Sequence, residues 1–290
     1  MKKNIFLTII LGVASILIIF FGRQHAATQE EEMLQNSLSA ESSNESLETE
    51  DTEVAEEQDD EDSLSAEEKI AAYEADIDSL TPLQRIDYET LVNDPVNLAY
   101  YGPIDTSLEW YNQMNTLIQN NVSGTVEIEE YTYPETGTYN LYIQRYVDNV
   151  IASEADVVIY RMPAFEDHDR DVALSETNQF LTSMLNTLTE GLPDADIFLM
   201  ETEPNLFEMT NNNSRSLDYR NYMNEMNTVA DEFGLQVIDI HNQFTTIAEE
   251  DEVELASLFN EDQTVLNEEG NALLERAIDR AMKDGTPEED

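Results

Sequence analysis

The chain contains no cysteine. Disulfides, thiolate metal sites and a cysteine nucleophile are therefore excluded. Positive charge is scarce too: 13 Lys and Arg stand against 63 Asp and Glu in 290 residues, a net charge of −50. A field of that sign repels nucleic acid and anionic membrane surfaces, so neither is expected as a partner. There is no phosphate-binding glycine loop and no basic cluster, and no cofactor is implied. Residues 30–62 hold 15 of the acids, and Lys2, Lys3 and Arg23 precede the main domain, which leaves the rest near −38. The folded part is thus acidic in its own right. Such a surface is heavily hydrated and suits high salt, where self-repulsion is screened. Binding of cationic ligands or metal ions is the sharper alternative.

What is present begins with an uncharged run from Ile5 to Gly22, preceded by Lys2 and Lys3 and closed by Arg23. Eighteen residues rising about 1.5 Å each span about 27 Å, close to a bilayer core. Signal peptides have a shorter apolar region and a small-x-small cleavage site, which Arg23-Gln24-His25-Ala26-Ala27 does not supply. The expectation is an uncleaved signal anchor over residues 1–23, with a cleaved signal as the alternative. The lysines place the short end in the cytoplasm and the main domain outside the cell membrane.

Residues 24–64 form an acidic tether. From Thr28 to Ser63 there is no aromatic residue, glycine or proline, too little apolar surface to offset ordering. It reads as a spacer or as a tolerated solvated tail. Ser65 and Glu68 make a capping box that starts a helix to about Leu80. Pro82 opens a second helix that ends near Val92. These two form a helical appendage, residues 65–95, and residues 284–290 a disordered tail.

From Asn97 the periodicity alternates. Strands are predicted over Asn97–Tyr101, Thr125–Tyr131, Val157–Tyr160, Ile197–Met200 and Gln236–Ile240. Helices are predicted over Leu108–Gln119, Tyr139–Ala152, Ser175–Leu188, Leu217–Phe233 and Glu268–Met282. Short apolar strands separated by helices imply an α/β fold over residues 96–283, a three-layer, doubly wound, five-stranded parallel sheet. In such sheets the site lies beyond the strand carboxyl ends.

The segments there resemble the SGNH/GDSL hydrolase family, in a membrane-anchored branch of Gram-positive bacteria. Gly102-Pro103-Ile104-Asp105-Thr106 stands where that family has Gly-Asp-Ser-x-Thr. Asp156 to Pro163 is similar to its third block, Glu201-Thr202-Glu203-Pro204-Asn205 to a Pro-Asn segment of the branch, and Asp262 to Gly270 to its Asp-x-x-His ending. The resemblance implies ester hydrolysis by a serine, a histidine base and an aspartate three residues before it, with donors for the oxyanion. Those positions fall on Ile104, Val265 and Asp262, with Gly137 at the oxyanion-hole glycine. Isoleucine offers no nucleophile and valine accepts no proton.

Two residues are alternative candidates. Ser107 lies at a helix start, where N-capping is its plain role. His241 follows the fifth strand, with Asp239 predicted on the same side. Asp167, Asp169 and Asp171 alternate as in a calcium loop, but Val172 and Asn178 fill the positions that need Gly and Glu. His168 among them is a lone imidazole. Three functions compete: a catalytically silent domain binding a cell-wall or exopolysaccharide component or a protein, an active ester hydrolase with displaced residues, and a structural surface protein.

Overall fold

The computed structural model describes residues 64–284, which belong to one compact unit. The anchor expected over residues 5–22, nearly all of the tether, and the tail from residue 285 lie outside the described residues. Among the described residues no helix is long and apolar enough to cross a membrane.

Helix α1 (Ala66–Ala75) starts at the predicted capping box, where Ser65 accepts from the Glu68 backbone N–H and Glu68 accepts from Ser65 N. A 3₁₀ turn (Ile77–Ser79) leads to α2 (Pro82–Val92), capped by Thr81 with Pro82 in its first turn. Helix α1 buries nothing, whereas α2 sends Leu83 and Ile86 into the core. Asp87 ties this corner together. It accepts from Tyr73 Oη at 2.7 Å and from Ser123 N at 2.6 Å, and it lies 2.6 Å from Lys69 Nζ.

The sheet has strands β1 (Val96–Gly102), β2 (Val126–Thr132), β3 (Val157–Arg161), β4 (Asp196–Met200) and β5 (Gln236–Ile238). All pairings are parallel and the order is β2-β1-β3-β4-β5. This is the doubly wound order whose direction reverses beside β1, between β1 and β3. Alternate side chains of each strand face opposite ways. Leu98, Tyr100, Val157, Ile159, Phe198 and Met200 enter one apolar cluster, and Ala99, Tyr101, Val158, Tyr160, Ile197 and Leu199 enter the other.

The first cluster is covered by α2, α3 (Glu109–Asn121), α10 (Ile240–Glu250) and α11 (Glu268–Lys283). The second is covered by α4 (Thr138–Ile143), α5 (Val147–Ala152), α7 (Leu174–Gly191) and α9 (Tyr219–Phe233). The short helices α6 (Ala164–Asp169) and α8 (Leu206–Thr210) lie in the connections after β3 and β4. The three predicted layers are therefore present.

Helices α6, α8 and α10 lie where none was predicted, and two predicted elements are interrupted or cut short. The helix predicted over Tyr139–Ala152 is two, α4 and α5, because Arg145 adopts φ 54° between them. A left-handed residue interrupts the helical hydrogen-bond ladder. The strand predicted over Gln236–Ile240 stops at Ile238, since Asp239 turns to cap α10 by accepting from Asn242 N at 3.1 Å. Asp239 and His241 thus do not share a strand face.

Candidate active site

At the nucleophile position of the resemblance, Ile104 follows β1 and is fully buried in the first apolar cluster. Val265, at the base position, is 62% exposed, and Asp262 is exposed beside it. One position faces a dry core and the other faces solvent. Gly137 precedes α4, and a Cβ there would stand 2.5 Å from Asp167 Oδ1. Its lack of a side chain serves that close approach. Asp167 uses both oxygens locally, accepting from Thr138 N at 2.8 Å, Thr138 Oγ1 at 2.5 Å and Thr177 Oγ1 at 2.7 Å.

Neither alternative candidate assembles with the other. Ser107 does not cap α3, whose N-cap is Leu108; its Oγ donates to Asp105 Oδ1 at 2.6 Å on the exposed turn. His241 lies in the first turn of α10, buried, with Nε2 at 2.8 Å from Tyr219 Oη. Tyr219 Oη also accepts from Asn205 N at 3.3 Å, and its own proton is available for donation to Nε2 of a neutral ring. Burial, reinforced by Arg220, lowers the His241 pKa from 6.5 to about 4, against the opposing pull of Asp218 and Glu203.

Asp167, Asp169 and Asp171 do not converge as calcium ligands. Asp167 is buried among its hydroxyl donors, Asp169 is exposed, and Asp171, at φ 51°, accepts from Ser214 N at 2.8 Å.

What occupies the strand carboxyl ends is a set of buried charges that the sequence reading did not single out. Arg161 ends β3 and is 5% exposed. Its Nη1 donates to Pro103 O at 2.9 Å, on the same turn that carries Ile104, and its Nη2 donates to Glu203 Oε2 at 3.0 Å. Glu166 Oε1 lies 3.7 Å from Nη1. Burial pushes the Glu166 carboxyl up to about 7 against the attraction of Arg161. Burial acts upward on Glu203 as well, but Arg161 outweighs it and holds Glu203 below the ordinary value.

Beside this lies a second cluster. Glu201 follows β4 and is buried; its Oε1 accepts from Asn227 Nδ2 at 2.8 Å and its Oε2 from His241 N at 3.2 Å. Burial and a hydrogen bond with Asp239 raise the Glu201 pKa well above the ordinary carboxylate value. These groups open into a cleft of about 650 Å³ between α9, β5 and the start of α10. By contrast, the space bounded by Trp110, Met200, Glu203 and Leu274 is only about 10 Å³. The sequence signal for these sites was a charge directly after an apolar strand, Arg161 after Val157–Tyr160 and Glu201 after Ile197–Met200.

No known family model and no curated relative matches the sequence. Among solved structures, an acetylxylan esterase from Geobacillus stearothermophilus is 17% identical with a TM-score of 0.49, covering 65% of this chain and 94% of its own. A GDSL-like lipase from Parabacteroides merdae is 12% identical with a TM-score of 0.49, covering 65% and 96%. An acetyl xylan esterase, AlAXEase, is 14% identical with a TM-score of 0.48, covering 63% and 98%. The likeness is one of chain arrangement and carries no chemistry to this protein.

Proposed function

We propose that this chain is a membrane-anchored, extracytoplasmic, SGNH/GDSL-like protein that binds a cell-envelope glycan at the strand carboxyl ends without hydrolysing esters there. The observation that carries the reading is Ile104, fully buried where the family's nucleophile would stand. A nucleophile must reach its substrate, and a wholly buried aliphatic side chain in an apolar cluster has neither the atom nor the access. Arg161 reinforces the loss, since it holds the carbonyl of Pro103 in that turn.

The cleft beside α9 suits a polyhydroxyl ligand. It is lined by Asn224, Asn227, Asp231, Gln236, Asp239 and Asn242. Amides and acids of this kind donate to and accept from sugar hydroxyls without needing a net positive charge. Among the described residues Asn227 Oδ1 is buried without a partner and supplies an acceptor there.

The test is p-nitrophenyl acetate hydrolysis by the full chain at high salt, followed by thermal melting with acetylated xylo- and chito-oligosaccharides. The reading expects no turnover above the Ser107→Ala variant, and a rise in Tm with glycan that Asn224→Ala diminishes. Turnover that Ser107→Ala abolishes would establish a hydrolase with displaced residues. A Tm insensitive to every glycan would leave the structural surface protein as the better account.

A further inference from the structure

His168 is the penultimate residue of α6, and its side chain is only 2% exposed. Its Nε2 lies 2.9 Å from Asn211 O. A backbone carbonyl only accepts, so Nε2 carries the proton. In the neutral ring that leaves a lone pair on Nδ1. Among the described residues this lone pair faces no donor. It faces Asp169 Oδ1 at 3.1 Å and Glu208 Oε2 at 3.6 Å, both carboxylate oxygens. Two carboxylates facing Nδ1 call for positive charge between the three atoms, either a proton on Nδ1 or a bound cation.

We propose that this cation is a divalent metal ion of the zinc class, held by His168 Nδ1, Asp169 and Glu208. The three ligand atoms lie within 4.8 Å of one another. An ion with tetrahedral bonds of about 2.0–2.2 Å sets its ligand atoms about 3.4 Å apart, and the two imidazole-to-carboxylate distances bracket that value. The ring already has the outer support such ligands use, its second nitrogen donating to a main-chain carbonyl. Glu208 is oriented as well, accepting from Asn211 Nδ2 at 3.1 Å, so the residue after α8 fixes both ligands. Asp169 is 66% exposed, which leaves an entry path and room for water at the fourth position. One imidazole and two carboxylates select zinc, cobalt or manganese over magnesium and calcium, which prefer all-oxygen sets.

The site joins α6, after β3, to α8, after β4, and is separate from the glycan-binding reading. Its test is titration of the full chain with Co²⁺ in a large excess of Mg²⁺, which occupies the oxygen-only sites of so acidic a chain. The expected result is one equivalent of Co²⁺ with the intense visible d–d bands of low coordination, displaced by one equivalent of Zn²⁺. Asp169→Asn and Glu208→Gln, both on accessible side chains, weaken binding at least about tenfold while the far-ultraviolet circular dichroism is unchanged. His168→Gln abolishes the bands. Weak bands of six-coordinate aqueous cobalt, or identical spectra in the wild type and Glu208→Gln, overturn the proposal and identify the cation as the second ring proton of an imidazolium.

Discussion

Replacing His241 by glutamine should change the pH dependence of folding in one direction only. The folded ring titrates near 4 and the ordinary histidine near 6.5. Each pKa unit is worth about 1.4 kcal/mol, so the difference amounts to about 3 kcal/mol. Above pH 6.5 the ring is neutral in both states and costs nothing. As pH falls from 6.5 towards 4 the unfolded chain takes up a proton that the folded chain refuses, and stability declines. Below about 4 the full loss has been incurred. Glutamine has no such proton. Urea denaturation of both proteins at half-unit steps from pH 4 to 7.5 supplies the comparison, with the difference in unfolding free energy as the readout. His241→Gln should lose a fixed amount at neutral pH, from the hydrogen bond with Tyr219. It should then gain on the wild type by about 3 kcal/mol towards pH 4. The many carboxylates titrate in the same range in both proteins and cancel in the difference. A difference that stays constant with pH would refute the argument, since it would mean that His241 titrates alike folded and unfolded. Nuclear magnetic resonance gives an independent check, because only three histidines contribute ring signals and the one missing from the variant should have its midpoint near 4.

Ile104→Ala should cost about 2–5 kcal/mol by calorimetry or denaturant melting, since the side chain is fully buried in the first apolar cluster. The double variant Ile104→Ser with Val265→His should show no gain in p-nitrophenyl acetate hydrolysis, because its histidine would stand on the exposed side of the Phe259–Leu266 bridge. Gly137→Ala should destabilise by about 1–3 kcal/mol, as its Cβ would meet Asp167 Oδ1 at 2.5 Å. Asp87→Ala should loosen the amino-terminal corner, read as faster amide exchange in residues 66–79, because one carboxylate holds Tyr73, Lys69 and the Ser123 backbone.

The layers and nearly all strands were legible because short apolar runs are separated by amphipathic ones, and burial on two faces needs that pattern. Helix α10 was missed for a physical reason. Ile240, Phe244, Ile247 and Ala248 do repeat at helical spacing and are buried. But Ile240 also continues the apolar run of β5, and a strand end followed directly by a helix leaves no polar gap to mark the change. The break between α4 and α5 rests on one residue, Arg145, in a conformation that its side chain does not announce. The site was legible only in part. Charges after β3 and β4 could be read, but the partner of Arg161 lies 42 positions away, and only the fold brings Glu203 to it. The same holds for His168, whose significance depends on Asn211 and Glu208 arriving from the next connection.

Among the described residues the sheet ends on one side at β2, a seven-residue strand with only β1 as a neighbour. A free parallel edge of that length is a template on which another chain could add a strand. Here it bears Glu127, Glu129 and Glu130 within Val126–Thr132, and Glu130 is held by Tyr111 Oη at 2.8 Å. A second copy approaching this edge would bring the same acids alongside. The acidic composition therefore does more than hydrate the surface: at β2 it sets like charges against the addition of a second copy's edge, a repulsion that salt screens.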